Sequence, residues 1–171
     1  MQKLLTAIFI LIISGCLLPS FAKKEENAVI TPQTQLQKRQ YQTKQYSNVK
    51  KDVLMKAMLN VLQDEGFIVY NANPTLGFIS GAKEFSTNDK SINFEQEFGA
   101  KKIMGAIVAV VEATANVSEF GKETRVRINF KRKQLNAYGN AMKIDEVTDE
   151  TYYQQFFSKV DKAIFIQGQK I

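Results

Sequence analysis

The chain has 171 residues with 23 Lys and Arg against 17 Asp and Glu, a net charge of +6 and 44% hydrophobic residues, which is the length of one compact domain. It contains no His, which excludes Ser-His-Asp and Cys-His triads, HExxH zinc sites and any imidazole proton shuttle. A single Cys excludes an intrachain disulfide and a multi-thiolate metal site, so no metal and no cofactor are expected.

Residues 1–22, MQKLLTAIFILIISGCLLPSFA, place Lys3 ahead of an apolar run, the layout of a bacterial export signal. The run from Leu4 to Leu18 is 15 residues, short of the roughly 20 that a membrane-spanning helix needs. Two processing sites overlap. Ile13-Ser14-Gly15-Cys16 resembles a lipobox, in which Cys16 is diacylated and becomes the first residue of the mature chain, so that residues 1–15 are the signal peptide. Ser20-Phe21-Ala22 behind Pro19 fits ordinary cleavage, leaving Lys23 first and a soluble periplasmic protein. The lipobox accounts for the position of the only Cys, although Leu17, Leu18 and Pro19 are more apolar than the usual start of a lipoprotein. Export makes nucleic acid a poor partner for the basic mature chain. Membrane attachment through the N-terminal lipid, an envelope protein partner or an anionic envelope component fits better.

Residues 16–38 are expected to be a flexible tether, and 39–171 a single domain. Arg39–Tyr46 is β-compatible and predicts a short first strand. Between Asn48 and Gly66, Val53, Leu54, Ala57, Met58, Leu59, Val61 and Leu62 form one apolar stripe, predicting a helix capped at Ser47 or Asn48 and stopped at Gly66. Phe67–Asn71 and Thr75–Lys83 flank the turn cluster Asn71-Ala72-Asn73-Pro74 and predict a hairpin. Residues 85–101 read as a loop with a helical turn at Phe94 and Phe98, and the Ala, Gly and Val run Ile103–Val111 fits helix or buried strand equally. Val111, Ala113, Ala115 and Val117 then alternate with polar residues, as do Val126, Ile128 and Phe130 beyond Phe120-Gly121. This predicts a hairpin with Ala115 opposite Val126, Ala113 opposite Ile128 and Val111 opposite Phe130. Glu150–Gln167 carries the stripe Tyr152, Tyr153, Phe156, Phe157, Val160, Ala163 and Ile164 behind a Thr148 or Asp149 cap, a closing helix. The expected fold is α+β: an antiparallel sheet of about five strands with two amphipathic helices on one face, ordered β-α-β-β-β-β-α and helix-grip-like.

Two stretches, residues 39–84 and residues 124–133 with 149–166, carry a vLQDxGF helix end, a lGxIxxxK strand and a terminal YxxFFxKxxxxIF helix. In these the chain resembles a group of poorly characterised Gram-negative envelope lipoproteins. The β-α-β-β opening also looks like the helix-grip domains of the lipoprotein component of the barrel-assembly machinery. The resemblance implies an outer-membrane lipoprotein facing the periplasm and implies no catalytic residue.

The candidate binding residues are Arg125, Arg127, Lys131 and Lys133 on the polar face of one strand, about 7 Å apart in successive pairs and suited to phosphates or carboxylates. The alternative is a solvated face whose charges deter aggregation. In the first amphipathic helix Lys50 and Lys51 oppose the dipole at its start and Asp64 and Glu65 at its end, which points to tertiary pairing or to a partner contact at Asp64. Tyr152 or Tyr153 is a candidate interface anchor. These features predict a non-enzymatic binding or assembly module of an outer-membrane complex. The competing class is an envelope hydrolase using a carboxylate pair such as Asp64/Glu65 or Glu95/Glu97, which requires two carboxylates converging in a pocket.

Overall fold

The computed structural model describes residues 34–86 and 104–168. The expected leader, Cys16, most of the expected tether, the Phe94/Phe98 loop and the Glu95/Glu97 pair lie outside the described residues. The fold is α+β: helix α1 (Gln35–Gln42), strand β1 (Thr43–Ser47), helix α2 (Lys51–Asp64), strands β2 (Ile68–Asn73), β3 (Phe78–Ser86), β4 (Val108–Phe120), β5 (Glu123–Leu135) and β6 (Ala141–Glu146), and helix α3 (Glu150–Gly168). The strands form one antiparallel sheet in the order β1-β5-β4-β3-β2, with β6 also paired to β5.

Helices α2 and α3 pack on one face of the sheet and against each other. Leu54, Met58, Val61 and Leu62 of α2 and Tyr153, Phe156, Phe157 and Val160 of α3 meet Val111, Ala113, Ala115 and Val117 of β4 and Val126, Ile128 and Phe130 of β5. Phe130 is the hub of an aromatic cluster, with ring centroids 5.0 Å from Tyr152, 5.3 Å from Phe156, 5.5 Å from Tyr153 and 5.9 Å from Phe67. Edge-on and tilted contacts of this kind add to the stabilisation from buried area alone.

The first strand expected at Arg39–Tyr46 is corrected. Residues up to Gln42 are helical, and only Thr43–Ser47 pair in the sheet. The helix reaches back into the expected tether because Thr34 and Gln37 form a capping box, each side chain bonded to the other residue's backbone N–H. A further strand, β6, was not anticipated.

The β4–β5 register is also corrected. The observed partners are Val117 with Val126, Ala115 with Ile128 and Ala113 with Phe130, two residues away from the expected set. The tight loop is Gly121-Lys122 rather than Phe120-Gly121, with Gly121 at φ +65, the left-handed conformation that a two-residue hairpin requires. A slip of two leaves every side chain on its expected face, so the core assignment is unchanged.

The start of α2 carries no side-chain cap of its own at Lys50. Glu119 of β4 serves instead, accepting from the Lys51 backbone N–H at 2.8 Å, while the Lys51 ammonium donates to the Thr75 carbonyl. The helix end that looks mischarged in sequence is therefore supplied with a carboxylate from the sheet. Gly77, in the β2–β3 turn at φ +70, passes so close to β4 that a Cβ there would sit 1.9 Å from the Val117 carbonyl oxygen.

Strand β5 has two partners along its outer edge: β1 covers Glu123–Arg127 and β6 covers Lys131–Leu135. The gap between them is closed without a strand. The Val147 N–H donates to the Phe130 carbonyl at 2.9 Å, and the Phe130 N–H donates to the Tyr153 hydroxyl at 3.3 Å. That hydroxyl donates in turn to the Val147 carbonyl at 3.0 Å, and the Gln42 amide reaches it from the end of α1. A buried backbone donor left open by the sheet is satisfied by a helix side chain.

Candidate functional site

The face of the sheet away from α2 and α3 bears Asn116 and Ser118 of β4 opposite Arg127 and Arg125 of β5. Thr43, the first residue of β1, pairs with Arg127, and this junction sets α1 beside that face. The result is a groove of about 710 Å³ lined by Leu36, Arg39, Gln40, Thr43, Asn116, Ser118, Arg125 and Arg127. Three arginines from a helix and a strand line it, and among the described residues its lining contains no carboxylate.

The groups are held in different ways. The Arg125 guanidinium lies over the Phe120 ring, 4.4 Å from the centroid, a cation–π contact that restricts a long side chain. Arg127 is half-buried, and its Nε is shut off from solvent with no hydrogen-bond partner. Ser118 Oγ donates to Asn116 Oδ1 at 2.7 Å, and the Asn116 amide reaches the Leu76 carbonyl at 3.4 Å, so the floor of the groove is itself ordered.

The four-residue basic row expected on this strand is divided by the structure. Arg125 and Arg127 enter the groove. Lys133 is bound to Glu112 at 2.6 Å, and Lys131 is exposed, opposite Glu112 and Glu146 on the neighbouring strands, whose carboxylates pair with Lys133 and Lys38. Arg39 lies on α1 rather than on the expected strand, which brings it to the groove. The Thr34-x-x-Gln37 capping signal places it on a helix. Its neighbour Lys38 turns the other way and pairs with Glu146 at 2.7 Å, a bond that raises the ammonium pKa.

The remaining candidates are dispersed over the fold. Asp64 is exposed at the end of α2, and it is Glu65 that forms an ion pair, with Lys159 of α3. Tyr152 is half-buried at the border of the core with its ring edge-on to Phe130, and Tyr153 is fully buried in the core. On the core side, Arg132 is only 4% exposed and meets Asp145 at 2.8 Å, with Lys143 at 3.0 Å from the same carboxylate. Burial pushes the Asp145 carboxyl up, but hydrogen bonds from Arg132 and Lys143 outweigh it and hold the group below the usual carboxylate range. Burial pushes the Tyr153 phenol up to about 12, with the Phe130 and Gln42 hydrogen bonds opposing. Burial, followed by the nearby Asp161 charge, raises the Tyr46 phenol further still. Among the described residues no group of three or more acidic or thiol side chains is placed to hold a metal, and no helix is long and apolar enough to cross a membrane.

The chain matches no family model and no curated protein. Among solved structures, a DUF4468 family protein from Bacteroides ovatus ATCC 8483 is similar to it at 11% identity and a TM-score of 0.41, over 71% of this chain and 84% of that one.

Proposed function

We propose that this chain is a non-enzymatic binding or assembly module of a Gram-negative cell envelope. It is exported on its leader, lipidated at Cys16 and held at the outer membrane facing the periplasm. There it recognises an anionic group on an envelope component or protein partner. The observation that carries the binding role is the convergence of Arg39, Arg125 and Arg127 on one groove that, among the described residues, has no lining carboxylate. Guanidinium groups gathered in this way repel one another, and an anion accepting from several of them removes the repulsion and fills their donor sites. A structural rather than catalytic use of the other buried polar groups supports the same reading: Tyr153 closes a strand gap, and Arg132 is held by Asp145.

Intact-mass measurement of the protein from native membranes tests the anchoring. A mature chain starting at acylated Cys16 is expected, and one starting at Lys23 without acyl groups refutes lipidation. Cross-linking in cells from a photoreactive residue at Gln40, on the groove wall, tests the binding role. Capture is expected to be lost when Arg39, Arg125 and Arg127 are all changed to Gln, and undiminished capture refutes it.

A further inference from the structure

The donors of the groove narrow the kind of anion it suits. Arg125 and Arg127 stand on one face of β5, about 7 Å apart along the strand, and Arg39 approaches from the α1 wall. Each guanidinium is a planar fork of N–H donors, so three forks present more donors, from more directions, than the two coplanar oxygens of a carboxylate can accept. A terminal phosphate has three free oxygens arranged as a tripod and carries nearly two negative charges at neutral pH, against one for a carboxylate. It therefore matches both the geometry and the charge of three arginines. The Phe120 ring beneath Arg125 and the Ser118–Asn116 bond hold two sides of the site in place before any ligand arrives.

We propose that the groove between α1 and the β4–β5 face binds a phosphate monoester, with Arg39, Arg125 and Arg127 each donating to its free oxygens. This rests on the reading of the groove as an anion site. The ester can be borne by a lipid head group or by a soluble phosphorylated sugar, and the chemistry of recognition is the same for both.

The test uses full-length protein carrying Cys16→Ser, so that no acyl chain enters the comparison. Titration with glucose 1-phosphate is set against glucuronate at matched ionic strength. Vesicles of phosphatidylcholine with phosphatidic acid, a monoester, are set against the same vesicles with phosphatidylglycerol, a diester. Saturable binding of the monoester is expected, weakened about tenfold or more by R127Q and by R39Q, the loss of a charge-assisted hydrogen bond. It should be unchanged by K131Q/K133Q, outside the groove. Thermal unfolding of each variant establishes that it is folded. Preference for phosphatidic acid vesicles over glucose 1-phosphate identifies a lipid source, and the reverse a soluble one. Equal, arginine-dependent binding of glucuronate overturns the phosphate assignment and leaves the anion site standing. Binding of neither probe, or binding indifferent to Arg39 and Arg127, overturns both.

Discussion

Tyr153→Phe removes one oxygen atom and no apolar surface, and it isolates the closure of the β5 edge. The hydroxyl accepts from the Phe130 N–H and donates to the Val147 carbonyl, both buried, and it is the acceptor that the Gln42 amide approaches at 3.5 Å. Without it the Phe130 donor has no strand beside it, since β1 ends opposite Arg127 and β6 begins opposite Lys131. A buried group left unsatisfied costs about 1–3 kcal/mol. Two such groups, partly relieved by small shifts, give a destabilisation of about 3 kcal/mol, and for a domain of this size a fall in melting temperature of about 9 °C. Urea denaturation and calorimetry of wild type and Y153F measure it directly. A change below about 0.5 kcal/mol would refute the claim that this hydroxyl closes the edge.

The same side chain predicts a pH dependence. The phenol pKa is raised from 10.0 to about 12, which means that folding favours the protonated form. Its contribution is complete below about pH 10 and is lost as the pH rises through about 12. Tyr46 shifts in the same direction. Wild-type stability should therefore decline above pH 10, and Y153F should lose less over that interval.

Asp145→Asn takes the carboxylate from a guanidinium that is almost wholly buried, and should cost about 2 kcal/mol at neutral pH by denaturant unfolding. Because the Asp145 pKa is lowered in the fold, its contribution is present above about pH 4 and disappears as the pH falls through the folded value, so wild type and D145N should converge in acid. Gly77→Ala puts a methyl group against the Val117 carbonyl at positive φ, and should destabilise by about 3 kcal/mol or more, visible as lost soluble protein or a melting temperature lowered by about 9 °C or more.

The places where sequence and structure disagree share a cause. The α1 helix was hidden because RQYQTKQY has no apolar stripe, yet its capping box was present three residues apart at Thr34 and Gln37. The β4–β5 register was mistaken by two because the alternating pattern repeats every two residues, so patterning alone does not distinguish one from the other. The left-handed Gly121 of the loop does. Strand β6 was overlooked because its side chains are mostly exposed, which leaves no alternation to read.

The sequence by itself determined the α+β class, the central β4–β5 hairpin, helices α2 and α3, and which side of each buries. Periodicity of apolar residues is a local property, and burial acts on it directly. What the tertiary structure alone decided is the candidate site. Arg39 is 86 residues from Arg125 in sequence, and nothing local to either indicates that the Thr43–Arg127 pairing brings α1 beside β5. The same holds for the division of the basic row, since Lys133 is paired with Glu112 from another strand while Arg125 and Arg127 line the groove. Charge balance and hydrogen-bond satisfaction depend on neighbours across the sheet, and those neighbours exist only once the chain has folded.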